Sequence, residues 1–366
     1  MSSLTKNSSP QQVFSGIRAT GHLHLGNYLG AVKGFLELQN NPKYKCIFMA
    51  VDLHTITTPF NPKTLPQATK DIILDYLSVG LDPNKAIISA QSLVPQHTYL
   101  MFLFSSVMTV ARMQHLPTFK EKATQYPQDI TMALLNYPIL MAADILVYKA
   151  ELVPVGIDQE PHLEVAREVA RKMNQEYGTS FPEPQRFATS GEYVPSLKGS
   201  GKMSKSVEGS YINLTDDLAT IQQKLAGVPT DSGQGKIEKL VQTNEAKTSV
   251  HHKKYLDQQT QQVSEGVASL LQMVRLFQGE EKFDYLEEQY QGSGIRYQEL
   301  KQELAQVIFQ ELEPIQEKRQ QLVAQPDYIE EVILDGANKA KAIAQQTQQE
   351  VMGLMGLGIK DRIQNS

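Results

Sequence analysis

The chain has 366 residues, of which 41% are apolar, and it carries a formal net charge of −5. This length predicts two domains, or three, each with a sizeable core, while the acidic balance argues against indiscriminate binding of nucleic acid. A single cysteine, Cys46, excludes an internal disulfide framework and any multi-thiolate metal site, and no apolar run reaches the length of about 18 residues typical of a membrane span.

The N-terminal half alternates short apolar runs with helical patterns. Residues 1–12 are polar and lack a hydrophobic signal core, so they predict a disordered tail. Strands are predicted over 13–17, 46–51, 86–90 and 152–156, and helices from about 27, over 65–79, over most of 97–148 and over 161–177. Strands spaced by helices imply right-handed crossovers and a parallel sheet. Cys46 lies in one of the apolar runs, which indicates a core thiol rather than a reactive one.

Strand signals vanish after Thr215. Long helices rich in Gln, Glu and Lys are predicted over 215–226, 249–277, 297–323 and 327–352. The stretch 227–235 is rich in Gly, Pro, Ser and Asp and predicts a linker. The sequence therefore predicts an α/β fold, with a Rossmann-like parallel-sheet catalytic domain over residues 12–208 and a C-terminal α-helical domain over 209–366.

A glycine-rich loop follows the first predicted strand. Residues 14–27 read FSGIRATGHLHLGN, and a strand, a Gly loop and a helix in this order point backbone N–H groups and a helix N-terminus at an anion. Gly16 and Gly21 allow close backbone approach, while His24 and Asn27 stand at the first helical turn. The alternative is a plain Gly-rich turn with a capping Asn.

A lysine loop lies near the middle of the chain. Residues 201–206 read GKMSKS, which places two lysines three positions apart on a polar loop. Such a loop is suited to grip a polyphosphate, although a lysine loop alone is weak evidence.

One carboxylate stands in an apolar helix. In the segment 141–148, MAADILVY, Asp144 would be costly to bury without a partner. Either Asp144 pairs locally as a structural residue, or it accepts a hydrogen bond from a substrate in an apolar pocket. His54 is a second candidate for such a pocket, although a lone histidine is more often simply packed.

Asp158 follows the fourth predicted strand, in the segment 153–162, VPVGIDQEPH. At the carboxyl end of a parallel strand it could bind vicinal hydroxyls, and it could equally cap the helix that includes Pro161. The segment 119–122, FKEK, is a further basic candidate, with Lys122 favoured over a plain surface lysine.

Together these segments resemble the nucleotide signatures of class I aminoacyl-tRNA synthetases, and 141–148 resembles the tryptophanyl family. The resemblance runs in order from Phe14 to Ser206 and continues through the helical half. It implies ATP contacts by residues of the two signatures and of the segment around Asp158, namely Arg18, Ala19, Thr20, His24, Gly26, Asn27, Gly156, Ile157, Asp158, Gln159, Val194, Lys202, Met203, Ser204, Lys205 and Ser206. It implies catalytic roles for Lys202, Lys205, Ser204 and Lys122. It implies tryptophan binding by Asp144, Met141, Tyr137, His54, Val153 and Val155, with Asp144 accepting the indole N–H.

The first signature departs from the familiar tryptophanyl form at one point. The family has Gln-Pro-Ser or Gln-Pro-Thr before the second glycine, where this chain has Arg18, Ala19 and Thr20. Arg18 could instead reach the ATP phosphates or the carboxylate of the substrate.

The activity that the resemblance implies is ligation of L-tryptophan to tRNA(Trp) through a tryptophanyl-adenylate. The attacking carboxylate is already ionised, so no general base is needed. Lysines and Mg²⁺, held mainly by the ATP phosphates, would stabilise the charge that develops. The family also implies a homodimer. The single cysteine favours a reducing cytoplasm, and the lack of a long apolar run predicts no membrane attachment. The absence of tryptophan from the chain is a further hint.

Two alternatives stay open at this point. A tyrosyl-tRNA synthetase of the same subclass shares the fold and both signatures, but its pattern usually has Ser at the position of Ile157 and lacks the 141–148 segment. A catalytically inactive tRNA-binding paralogue is the other, and the intact Lys202 and Lys205 argue against it.

Overall fold

The structure, a computed structural model, describes residues 10–188, 193–199, 201–205, 207–234 and 264–358. Ser206, one of the predicted nucleotide contacts, lies outside the described residues, as do Gly235 of the predicted linker and the first part of the helix predicted over 249–277.

A five-stranded sheet forms the centre of the N-terminal half. Its strands are β1 Gln11–Arg18, β2 Tyr44–Val51, β3 Ala86–Ala90, β4 Leu152–Pro154 and β5 Gln185–Phe187. Their order in the sheet is β3-β2-β1-β4-β5, and every neighbouring pair is parallel. The predicted parallel sheet is confirmed. The chain reverses its direction of travel across the sheet between β1 and β4, which opens a crevice at their carboxyl ends.

Helices cover the sheet and form most of the C-terminal half. In the N-terminal half they are α1 Leu25–Asn27, α2 Lys33–Gln39, α3 Asp52–Thr55, α4 Leu65–Ser78, α5 Gln96–Ser105, α6 Val110–Gln114, α7 Pro117–Gln125, α8 Met132–Leu146 and α9 Glu160–Tyr177. In the C-terminal half they are α10 Leu218–Ala226, α11 Glu265–Gln278, α12 Glu280–Gln291, α13 Tyr297–Val323 and α14 Pro326–Leu354. A π-helical turn, Tyr28–Val32, joins α1 to α2. None of the described helices combines the length and the apolar character needed to cross a membrane.

The central strands are buried on both faces, as their continuous apolar runs predict. All residues of β2 from Cys46 onward are buried. Cys46 itself is 3% exposed, and burial raises the pKa of its thiol to about 12, so it is a core residue as predicted. The tail prediction is wrong for Gln11 and Gln12, because their backbone pairs with Tyr44 and Lys45 of β2 although their side chains are polar.

The helical half packs directly on the sheet domain. Helix α13 contacts α4 and α10, while α14 contacts β3 and α5. A single apolar cluster joins Val13, Phe35 and Phe48 from the first half to Leu304 and Ile308 from the second. The division of the chain at 208/209 therefore stays a prediction about function, since the two halves share a core.

Gly336 marks the closest approach of α14 to β3, and it supports a stability prediction. A Cβ atom at Gly336 would overlap the carbonyl oxygen of Ile88 and lie 3.3 Å from Cβ of Ser89. We expect Gly336→Ala to lower the free energy of unfolding by about 2 kcal/mol, because the added Cβ would force the backbone of α14 away from the backbone of β3.

The matched control is Gly353→Ala on the same helix, where an added Cβ would meet nothing within 4 Å. This change should be neutral or stabilising by up to about 1 kcal/mol, since Ala favours a helix over Gly. Urea denaturation of both variants measures the difference. Equal stability of the two variants would mean that the contact between α14 and β3 is loose.

Candidate active site

Three loops converge on the crevice between β1 and β4. One follows β1 and leads into α1, one follows β4 and contains Asp158, and the third is the lysine loop at 201–205. The crevice is where ligands bind in open parallel sheets with this strand order.

His24 is fixed at the N-terminus of α1 by a reciprocal pair of hydrogen bonds. The N–H of Asn27 donates to Nδ1 of His24 at 3.3 Å, and the N–H of His24 donates to Oδ1 of Asn27 at 3.3 Å. Burial, together with Lys205 and Lys202, lowers the pKa of His24 to about 3. His24 is therefore neutral, and because Nδ1 accepts a hydrogen bond, its proton lies on Nε2.

Two glycines allow this loop to pack closely. Gly21 has a φ of 98°, a left-handed conformation that favours glycine. A Cβ on Gly26 would lie 2.8 Å from Cε1 of His24 and 3.3 Å from Cβ of Met203. The first signature and the lysine loop are thus in direct contact.

The lysine loop is anchored by its middle residue. Met203 is 2% exposed, and its N–H donates to the carbonyl oxygen of Val194 at 2.8 Å. The hydroxyl of Ser210 donates to the carbonyl oxygen of Ser204 at 2.6 Å. Val194 is itself fully buried, and its carbonyl oxygen is taken up by this hydrogen bond. The anchored backbone leaves the side chains of Lys202 and Lys205 to extend over the crevice.

Each lysine reaches one of the other two loops. Nζ of Lys202 lies 3.7 Å from Oδ1 of Asp158, and Nζ of Lys205 donates to the carbonyl oxygen of Thr20 at 3.3 Å. A Cβ on Gly156 would overlap the carboxylate of Asp158 and come within 3.3 Å of Nζ of Lys202. The structure therefore brings together the predicted nucleotide residues from all three segments.

Burial lowers the pKa of Lys205 to about 8, while Asp75 and Asp71 act in the opposite direction. The ammonium group of Lys205 is thus held in a partly desolvated position, where a further negative charge would be stabilising.

Asp144 lies at the centre of a buried network. Its Oδ2 is 2.7 Å from Nε2 of His54, and its Oδ1 is 2.6 Å from Nδ1 of His97 and 2.7 Å from Nε2 of Gln91. Nε2 of His97 is in turn 2.8 Å from the hydroxyl of Tyr148. Burial opposes ionisation of Asp144, but His54 and His97 outweigh it and lower the pKa of the carboxyl.

Asp144 thus pairs locally, which was one of its two predicted roles. This pairing does not prevent the second role, acceptance of a hydrogen bond from a substrate. With the carboxylate ionised, both histidines donate to it, and each carboxylate oxygen can accept about two hydrogen bonds. Among the described residues two donors reach Oδ1 and one reaches Oδ2. Oδ2 therefore keeps capacity for one more donor.

His162 joins three helices beside this network. Its Nε2 is 2.6 Å from the hydroxyl of Thr118 and 2.6 Å from that of Tyr137, while its Nδ1 is 3.1 Å from Oε1 of Gln159. Burial, with His54 as a second cause, lowers the pKa of His162 to about 4. The neutral ring donates from Nδ1 to Oε1 of Gln159, and its single lone pair at Nε2 accepts from one of the two hydroxyls.

Tyr137 contributes its ring rather than its hydroxyl to the predicted pocket. Because the hydroxyl bonds His162, the ring is the free part, and it lies 6.4 Å from the His54 ring at 79°. Val153 is 1% exposed, and Met141 and Val155 are partly buried against the same apolar cluster. These residues form an apolar wall beside Asp144.

Lys122 lies on a groove outside the crevice. Its Nζ donates to Oε1 of Gln125 at 2.7 Å. The groove has a volume of about 560 Å³ and is lined by Lys120, Glu121, Lys122, Thr124, Gln125 and Val207. Because Val207 closely follows the lysine loop, α7 faces the end of that loop across the groove.

Several residues of the site were not identified from the sequence. Gln91 and His97 reach Asp144 from other elements, and no local pattern marks them. The carboxylate of Asp75 accepts the N–H of Leu23 at 2.7 Å and also Nε of Arg319 at 2.8 Å. A residue of α13 thus supports the first signature loop through Asp75.

Comparison with known proteins reveals close relatives over nearly the whole chain. A family model described as tRNA synthetases class I (W and Y) matches residues 6–313. The chain is 37% identical over 349 residues to a tryptophan–tRNA ligase from Porphyromonas gingivalis, an alignment that covers 94% of this chain and 99% of the relative.

Two solved structures share the architecture. Tryptophanyl-tRNA synthetase from Mycoplasma pneumoniae superposes with a TM-score of 0.78 at 30% identity, covering 95% of this chain and 98% of the other. The enzyme from Campylobacter jejuni, complexed with ADP and tryptophan, gives a TM-score of 0.75 at 27% identity, covering 94% of this chain and 100% of the other.

Proposed function

The chain belongs to the class I tRNA synthetases of the tryptophan and tyrosine group, and we propose that it is a tryptophan–tRNA ligase. It activates L-tryptophan with ATP to tryptophanyl-adenylate and pyrophosphate, then transfers tryptophan to tRNA(Trp). The observation that carries this proposal is the convergence of both lysines of the lysine loop on the two other loops of the crevice, at Thr20 and Asp158.

The adenylation step requires positioning and charge stabilisation rather than proton transfer. The substrate carboxylate attacks the α-phosphorus while pyrophosphate leaves, and negative charge grows on the phosphate oxygens. Lys202 and Lys205 would stabilise the leaving pyrophosphate, and the Nε2–H of His24 would donate to a phosphate oxygen. Asp158, half-exposed in the crevice, would bind the ribose hydroxyls once Lys202 turns to the phosphates.

The remaining nucleotide contacts would come from the backbones of the same loops. Thr20, Gly26, Gly156 and Ile157 line the approach to the crevice, and Ala19, Met203 and Val194 are buried beneath it. Mg²⁺ would arrive with ATP and be held mainly by its phosphates. Among the described residues no group of three His, Cys, Asp or Glu is placed to hold a metal ion.

The indole ring would occupy the space beside Asp144. Oδ2 of Asp144 has capacity for the indole N–H, and the carboxylate is held ionised by His54 and His97. Met141, Val155 and the ring of Tyr137 would contact the apolar faces of the indole. A buried acceptor of this kind penalises a substrate that lacks the N–H.

We place tRNA recognition mainly on the helical half, residues 209–366. Lys122 and Ser204 would act at the end of the lysine loop, where the acceptor end of the tRNA meets the adenylate. Since Lys122 and Val207 line one groove, Lys122 lies beside the segment that directly follows that loop.

A homodimer in the cytoplasm completes the proposal. Phe102 on α5, Val110 on α6 and Met132 on α8 are 74%, 58% and 65% exposed, and both α5 and α6 pack against α8. Large apolar side chains exposed on adjoining helices are typical of a surface that is covered in an assembly.

Ligand fluorescence tests the substrate directly, because the chain has no tryptophan of its own. On excitation at the red edge of indole absorption, all emission must come from added L-tryptophan. Binding in an apolar pocket should shift that emission to the blue and raise its anisotropy to a plateau as protein is added.

Tyrosine is the competitor that separates the two specificities of the family. Excess L-tyrosine should leave the anisotropy unchanged, whereas a non-fluorescent tryptophan analogue should reverse it. If anisotropy stays at the free-ligand value, or if tyrosine displaces the signal equally well, the tryptophan assignment fails and the tyrosyl alternative replaces it.

A further inference from the structure

Arg18 ends β1 with a guanidinium group that is only partly satisfied. One nitrogen, Nη2, donates to Oγ1 of Thr58 at 2.8 Å and lies 3.5 Å from the carbonyl oxygen of Thr55. Its Nε is buried and has no hydrogen-bond partner among the described residues. A guanidinium has five N–H donors in a planar fork, and the side that carries Nε lacks an acceptor among the described residues.

The charge of Arg18 also lacks a counter-ion. No carboxylate within the described part of the chain forms an ion pair with it, and the neighbours that favour its charged form are two tyrosines, Tyr126 and Tyr137. Burial lowers the pKa of the guanidinium, yet an arginine stays charged. A desolvated cation without an anion is costly, so the site is complete only when an anionic group enters it.

The position of Arg18 decides which anion this is. Lys202 and Lys205 act on His24, which marks the phosphate side of the crevice. Arg18 instead contacts Thr55, which directly follows His54 along α3, and His54 holds Asp144 at 2.7 Å. Arg18 therefore stands at the mouth of the apolar wall, on the amino-acid side.

We infer that Arg18 binds the carboxylate of the amino-acid substrate rather than the ATP phosphates. The inference rests on the proposed function and replaces the assignment of Arg18 to the nucleotide. An amino acid whose indole lies beside Asp144 would present its carboxylate toward the α-phosphate, across the mouth of the pocket. The planar fork can hold a carboxylate in one orientation, and Thr58 fixes the fork. Arg18 thus acts by positioning the attacking group.

Two indoles that differ only in the carboxylate provide the test. L-Tryptophan and tryptamine both fluoresce, so their dissociation constants can be measured by anisotropy with wild type, Arg18→Gln and Arg18→Lys. Arg18→Gln should raise the dissociation constant for L-tryptophan by about tenfold to a hundredfold, which is the effect expected from loss of a hydrogen bond to a charged group. The dissociation constants for tryptamine and for ATP should stay within about twofold of the wild-type values. Arg18→Lys keeps the charge but lacks the planar fork, so its dissociation constant for L-tryptophan should lie between those of wild type and Arg18→Gln.

Thr58 supplies a second pair of variants should Arg18→Gln fold poorly. Thr58→Val removes the hydroxyl that holds Nη2. It should weaken L-tryptophan selectively, and Thr58→Ser should restore the affinity because it keeps the hydroxyl.

The outcomes separate this inference from the proposed function. If Arg18→Gln loses affinity for both indoles equally, Arg18 only shapes the pocket. If it loses affinity for ATP alone, Arg18 binds the ATP phosphates. Either result overturns the inference while tryptophan binding by wild type upholds the proposed function. If wild type binds neither indole, both fall together.

Discussion

Alanine in place of Lys205 should slow the formation of tryptophanyl-adenylate by about 100-fold to 1,000-fold, equivalent to about 3–4 kcal/mol of barrier. The reason is that its ammonium group, poised at Thr20, would meet the pyrophosphate as negative charge develops on it. Lys202→Ala should have an effect of the same order. The dissociation constant for L-tryptophan should change little in either variant, since neither lysine contacts the residues around Asp144.

Single-turnover measurement of adenylate formation gives the rate without interference from product release. Lys339→Ala is a matched control, because Lys339 is also a half-exposed lysine that pairs with an aspartate, at Asp335 on α14, and lies outside the crevice. Rates within about threefold of wild type for both Lys202→Ala and Lys205→Ala would remove the lysines from the chemical step.

The pKa of Lys205 adds a pH dependence whose sign follows from its charge. The group is useful as a cation, and burial lowers its pKa to about 8 in the free protein. The ratio kcat/KM for ATP, which reports groups of the free enzyme, should therefore fall as pH rises through that value. Lys205→Arg should abolish the fall, because arginine does not lose its proton in this range.

The sheet and the convergence of the signatures could be predicted because both follow from patterns in short segments of the sequence. β1 to β4 are short apolar runs, and a parallel sheet with helical crossovers must bring their carboxyl ends to one edge. β5 was missed because its three residues, Gln185–Phe187, include none that is fully buried. Its pairing depends on the neighbouring β4 rather than on its own pattern.

The surroundings of Asp144 could not be predicted in the same way. Gln91 and His97 lie 53 and 47 positions away along the chain. His97 reaches the carboxylate because α5 packs against α8. Gln91 reaches it from the turn that directly follows β3. Tyr148 alone carried a local signal, four positions after Asp144, where a helical turn brings side chains together. The sequence predicted that a buried carboxylate needs a hydrogen-bond partner, but tertiary packing determines which residues provide that partner.

The tail and the linker show the limit of composition as a guide. Gln11 and Gln12 are polar, but backbone pairing does not depend on side-chain polarity. The Gly- and Pro-rich stretch 227–235 predicts a linker, yet apolar side chains from both sides of it pack in one cluster. A shared core of this kind depends on long-range contacts, and a local change in composition cannot reveal those contacts.

Replacing Asp144 should have the largest effect on amino-acid selection. In Asp144→Ala the indole N–H loses its acceptor, so a higher concentration of L-tryptophan should be needed. L-Phenylalanine, which lacks the N–H, should be rejected less. A site that hydrogen-bonds its substrate can reject an analogue without the donor by a factor on the order of 10⁴, and most of that factor should disappear. Removal of the carboxylate also leaves His54, His97 and Gln91 without their acceptor, at about 1–3 kcal/mol for each unsatisfied group.

Because of that cost, a variant that disturbs the network but keeps the acceptor is the proper control. Tyr148→Phe removes the hydroxyl that lies 2.8 Å from Nε2 of His97 and leaves Asp144 in place. It should lower stability while discrimination between tryptophan and phenylalanine stays near that of wild type. ATP–pyrophosphate exchange with each amino acid, at a temperature where both variants are folded, gives the ratio of kcat/KM values. If Asp144→Ala keeps the full preference for tryptophan, the indole N–H is recognised by another group. If Tyr148→Phe loses the preference equally, the network as a whole rather than the carboxylate determines specificity.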